Sequence, residues 1–122
     1  MEFLNKIHEE RYVDLVARGR IQGDIEREIA MYIISGGTGL YEKVEQMYDF
    51  KENAFLFDIE ENEDGEREIM WRASLSSSQD KLMRLAFSLF SSRDRIGVVE
   101  LFRVLDKNNT ILALNAIQYR YR

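Results

Sequence analysis

The sequence predicts an all-α fold: a single compact helical domain over residues 1–122, with five or six helices and either a short β-hairpin or an irregular excursion around residues 55–72. Three observations predict it. Apolar residues recur at three- and four-residue spacing along most of the chain, the pattern of amphipathic helices. Proline is absent, so no helix is broken by a missing backbone donor. A chain of 122 residues, 45% hydrophobic, has the length and apolar content of one domain with one core.

Each element has its own justification. Phe3, Leu4, Ile7, Leu15 and Val16 mark a first helix running to about Arg18, with Gly19 as its stop. Asp24 can cap a second, whose Ile25, Ile29, Tyr32 and Ile33 are backed by Ala30, Met31 and Ile34 on the other side. A helix apolar on most of its circumference belongs at the centre of the fold. Gly36 and Gly37 end it, and Thr38 can cap a third helix with Leu40, Tyr41, Val44, Met47 and Tyr48 facing inward. Ser77 or Ser78 opens a strong helix, "SQDKLMRLAFSLF", with Leu82, Leu85, Ala86, Leu89 and Phe90 on one face. After the polar run Ser91, Ser92, Arg93 and Asp94, a short helix holds Val98, Leu101, Phe102 and Leu105. Asp106 or Asn108 then starts a last helix carrying Ile111, Leu114, Ile117 and Tyr121.

The region 55–72 departs from the helical period. Phe55, Phe57 and Ile59 alternate with Leu56 and Asp58, and Ile69 and Trp71 alternate with Met70 and Arg72, which is the strand period of two. Asp64-Gly65 between them suits a tight turn. Asp58 to Glu68, "DIEENEDGERE", holds seven acids and one base, so its charge of −6 leaves +1 for the rest of the chain. A calcium loop of the EF-hand type fails here by register. With Glu60 first, Asn62, Asp64 and Gly65 fall correctly but Trp71 occupies the twelfth position, and with Asp58 first, Glu63 stands where glycine belongs. A solvated turn is the expected reading, and no metal site is assigned.

Catalytic and cofactor sites are not expected either. The chain has no cysteine and one histidine, His8, which lies near the buried stripe of the first helix. "SGGTGLYEK" follows a helix rather than a strand and matches neither the Walker nor the dinucleotide spacing, so it reads as a helix stop and cap. The closing "QYRYR" interleaves tyrosine and arginine, and cations there complement a helix C-terminus. An acidic start, no long apolar run and no cysteine fit a cytoplasmic setting with no membrane attachment.

Four segments together resemble a known group: "MEFLNKIHEERY", "GLYEKVEQMYDFKENAF", Trp71 followed by "KLMRLAFSLF", and "LDKNNTILALNAIQYRY". They are similar to the YfmB-like group of short uncharacterised proteins of Gram-positive bacteria, with residues 58–68 the least matched part. The resemblance implies a helical single domain of bacterial origin and no site residues.

Two function classes stay open. The favoured one is a non-enzymatic interaction module that meets a protein partner or a second copy of itself. Its motive is a surplus of rings, with Trp71, Tyr119 and Tyr121 as the partner-binding residues. The alternative is a small nucleic-acid-binding regulator using the last two helices, since Arg93 to Arg122 carries +3. An overall charge of −5 speaks against nucleic acid as the general partner.

Overall fold

The computed structural model describes residues 1–91 and 95–122; the connection expected at Ser92, Arg93 and Asp94 lies outside the described residues. In chain order the elements are α1 (Lys6–Gly19), α2 (Ile25–Gly36), a 3-10 turn (Tyr41–Lys43), α3 (Val44–Met47), β1 (Tyr48–Asp49), β2 (Ala54–Phe55), β3 (Phe57–Glu61), β4 (Arg67–Trp71), α4 (Ser77–Phe90), α5 (Val98–Phe102) and α6 (Lys107–Arg120). The antiparallel pairs β1–β2 and β3–β4 stand beside the helices, so the fold is mixed α/β and the all-α expectation is corrected.

The reason lies in two short stretches. Leu40, Tyr41, Val44, Met47 and Tyr48 have helical spacing, but the chain straightens at Tyr48 to pair with Phe55, leaving α3 a single turn. The pairing is set by tertiary contact: the Tyr48 ring meets Phe55 edge-on at 5.5 Å. Residues 57–71 form a hairpin in the register Phe57↔Trp71, Ile59↔Ile69 and Glu61↔Arg67, while Phe55, expected in the same strand, belongs to the separate strand β2 that pairs with β1.

α2 is the centre, packed against α1, α4 and α6. Ile29 to Ile34 are all fully buried, as the apolar circumference of that helix requires. Asp24, Ser76 and Asp106 cap α2, α4 and α6 by accepting backbone N–H bonds from Arg27, Gln79 and Asn109. Two expected caps differ. α1 ends on Arg20, which takes the left-handed conformation (φ 51°), while Gly19 admits Asn53, whose Oδ1 would lie 2.8 Å from a Cβ there. Thr38 caps nothing; buried Asn109 accepts its N–H and donates to its hydroxyl, each at 3.3 Å, which ties the end of α2 to the start of α6.

Candidate interaction surfaces

The β3–β4 hairpin is built around Asn62. Its Oδ1 accepts the N–H groups of Asp64 and Glu66 at 3.0 and 2.9 Å, and Gly65 donates to its carbonyl at 3.0 Å. Gly65 sits at φ 78°, a conformation that costs a residue without Cβ least. The seven acids from Asp58 to Glu68 are all exposed. Glu60 and Glu68 stand directly opposite each other across the strands, a like-charge pair that disfavours the hairpin. No group of three potential metal ligands occurs among the described residues.

Alternation puts Phe57, Ile59, Ile69 and Trp71 on one face of the hairpin. Its base is held to α4. The Phe57 ring lies 5.0 Å from Phe87 and 5.8 Å from Trp71, and Arg84 donates to the Ile69 carbonyl at 3.0 Å. Trp71 is half-buried, with Phe55 also 6.1 Å away, and its indole N–H is buried without a hydrogen-bond partner among the described residues. Toward the tip the same face outruns the helix. Ile59 is 55% exposed, and a groove of about 440 Å³ opens between the strands and α4, lined by Phe57, Ile59, Ile69 and Phe87 with Arg67 and Glu68.

Tyr119 and Tyr121 lie elsewhere. Tyr119 joins a second aromatic group, meeting Tyr32 edge-on at 5.6 Å and accepting the Glu2 N–H on its hydroxyl, with the Arg122 guanidinium 4.6 Å from its ring centre. Tyr121 is 69% exposed just past α6. No ring contact among the described residues joins Trp71 to this group; its rings are Phe55 and Phe57. α6 is apolar on two sides. Leu112, Ala113 and Ala116 are fully buried against the core, while Ile111, Leu114 and Tyr121 face outward.

His8 is a packed histidine with both ring nitrogens engaged. Nδ1 accepts the Leu4 N–H at 3.0 Å, so Nε2 carries the proton and donates to the Tyr32 carbonyl at 2.9 Å. Protonating Nδ1 would set two donors against each other, and burial lowers the His8 pKa despite the carbonyl. Tyr12 lies nearby; burial and the Glu28 carboxylate push its hydroxyl up to about 12, which keeps it neutral. These groups fasten α1 to α2, with both imidazole nitrogens taken up by backbone groups.

One comparison decides the lineage: DUF6075, described as a family of unknown function, matches residues 1–122. The chain belongs to the DUF6075 family. No curated protein and no solved structure matches it. Family membership carries no activity, so function has to be argued from the surfaces of this DUF6075 domain. No helix among the described residues is long and apolar enough to cross a membrane.

The sequence left a hairpin and an irregular excursion both open over residues 55–72, and the groove was not expected. Its signal was present in the tip pair Ile59 and Ile69, two β-branched residues placed among charges. Phe87, on α4 outside the stripe of Leu82, Leu85 and Leu89, was the second sign.

Proposed function

We propose that this DUF6075 protein is a non-enzymatic, cytoplasmic protein-interaction module, and that its working surface is the groove between the β3–β4 hairpin and α4. The observation that carries this reading is the apolar face of the hairpin, which continues past its support so that Ile59 is 55% exposed opposite Ile69. Exposed apolar surface bounded by polar residues is where partners bind. Trp71 stands at the base of that face. The four segments quoted above also support kinship with the YfmB-like group of Gram-positive bacteria, a kinship that brings no activity with it. The test compares partners recovered from native lysate by the parent and by the double variant Ile59→Ser, Ile69→Ser. A partner lost by the variant, with its circular dichroism unchanged, supports the groove; equal recovery refutes it.

A second reading, self-association, rests on the outward face of α6. Ile111, Leu114 and Tyr121 are 39%, 52% and 69% exposed and follow one another at three and seven residues. Two such faces can pack helix on helix around a two-fold axis. The nucleic-acid alternative gains no comparable support: α5 has five residues, and its Glu100 is engaged by Lys81 at 2.9 Å.

A further inference from the structure

We propose that residues 1–4 form a strap latched by His8 and released when its imidazole takes up a proton, so that the fold carries a pH-operated opening over the rings of Tyr12 and Tyr32. The device is separate from the hairpin groove and uses none of its residues.

The strap precedes α1 and makes no backbone–backbone hydrogen bond among the described residues. Three side chains hold it instead, one from each of three helices. Tyr119 on α6 accepts the Glu2 N–H, Tyr32 on α2 donates to the Glu2 carbonyl at 2.6 Å, and His8 on α1 accepts the Leu4 N–H on Nδ1 at 3.0 Å. Between these anchors the Phe3 ring packs against three others, 5.1 Å from His8, 5.3 Å from Tyr12 and 5.9 Å from Tyr32. Of the three anchors only His8 is of a type that titrates near neutrality.

A backbone N–H can only donate, so the latch needs an unprotonated Nδ1. Both nitrogens of an imidazolium are donors, and no rotation of the ring restores the bond. The protonated ring keeps its bond to the Tyr32 carbonyl, at 2.9 Å within the buried α2, and loses the one to the strap. The charged and titratable groups around it do not offset this. On the strap Glu2 is exposed; on α1, Lys6 and Glu9 pair with each other at 3.6 Å in solvent. On α2, Glu28 is engaged by the Tyr12 hydroxyl; on α6, Tyr119 has the Arg122 guanidinium 4.6 Å from its ring centre. Burial lowers the His8 pKa and the Tyr32 carbonyl opposes it. Opening the strap lets water reach the ring and relieves that burial. The closed form is therefore complete above pH 6.5, the ordinary value, and is lost as pH falls through the lower value of the closed state.

The test is amide exchange with water in the full-length protein, resolved residue by residue by NMR, with each rate referred to the unfolded chain at the same pH. Between about pH 7.5 and 5.5 the protection of the Leu4 amide should fall by about tenfold or more, while the amides of Ile29 to Ile34 remain protected. His8→Gln should abolish that pH dependence. Tyr119→Phe removes the Glu2 anchor and leaves the imidazole intact, so it should move the loss to higher pH; it decides the matter alone if the glutamine variant does not fold. Equal Leu4 protection at both pH values overturns the latch. A Leu4 amide that opens only together with α2 does so as well, because that is unfolding of the domain. A pH dependence that survives in His8→Gln, or that Tyr119→Phe leaves in place, has the same consequence.

Discussion

A methyl group at position 36 would stand 2.6 Å from His8 Nε2 and 2.6 Å from Leu112 Cδ1, so the absence of a side chain there lets α1 and α6 close on α2 together. Gly36→Ala is therefore expected to destabilise by about 1–3 kcal/mol, the usual range for overpacking a filled core, measured by urea unfolding. An unchanged midpoint would mean the three helices do not meet so closely. His8 makes the same junction pH-dependent. Its folded pKa lies below the ordinary 6.5, so the unfolded chain binds the proton more readily. The stabilising term is complete above pH 6.5 and is lost as pH falls through the lower folded value. As the chain has one histidine, the decline between about pH 7.5 and 5.5 should vanish in His8→Gln; parallel profiles for the two proteins would refute it. Trp71 differs again. Because its buried indole N–H has no partner among the described residues, Trp71→Phe removes an unsatisfied donor and should cost less than about 1 kcal/mol by denaturant unfolding monitored by circular dichroism. A loss of several kcal/mol would show that the N–H is satisfied.

At the scale of elements, the arrangement of charge on the hairpin leads to a stability prediction. Glu60 and Glu68 face each other across β3 and β4, so Glu60→Gln with Glu68→Gln should stabilise by a few tenths of a kcal/mol, and calcium should leave the melting temperature of the parent unchanged. A saturable calcium-dependent rise abolished by the two substitutions would replace the turn with a metal site. This hairpin was only half legible in the sequence: period two and Asp64-Gly65 pointed to it, but an irregular excursion fitted the same residues. α2, α4 and α6 were legible because Asp24 and Asp106 stand where caps belong, Ser77 opens α4 one residue after its cap Ser76, and the three helices are long enough for apolar spacing to repeat. α3 was not. Its apparent stripe is cut at Tyr48 by pairing with Phe55, a contact between residues too far apart for local spacing to report. The class assignment failed with it, since a strand of two residues leaves almost no periodic signal. The groove was half legible: alternation placed Ile59 and Ile69 on one face, but only the length of α4 relative to the strands leaves them uncovered.

For the whole molecule, burial and apolar spacing part company on α6, and that difference can be measured. Spacing alone groups Ile111, Leu114, Ile117 and Tyr121, yet the helix turns Ile111, Leu114 and Tyr121 outward, keeps Ile117 half-buried against the core, and buries Leu112 with Ala113 and Ala116, two small residues that let α6 approach α2 closely. The same substitution on α2 and on α6 should thus have opposite consequences. Ile33 is fully buried in the helix that α1, α4 and α6 all touch, so Ile33→Asp places an unpaired charge in the core. That costs several kcal/mol against a total stability of about 5–15, and the domain should unfold or lose most of its melting temperature. Leu114 is 52% exposed, so Leu114→Asp leaves its carboxylate in water and should shift the melting temperature by no more than about two degrees. Solution mass supplies the second readout. If the outward face of α6 joins two copies, the parent is a dimer and Leu114→Asp is a folded monomer, since a charge on each side of a two-fold interface repels its own image. A parent that is monomeric at every concentration removes the self-association reading and leaves the hairpin groove as the surface to test. A large loss of melting temperature in a monomeric Leu114→Asp would instead show that α6 is turned the other way, with the larger residues inward.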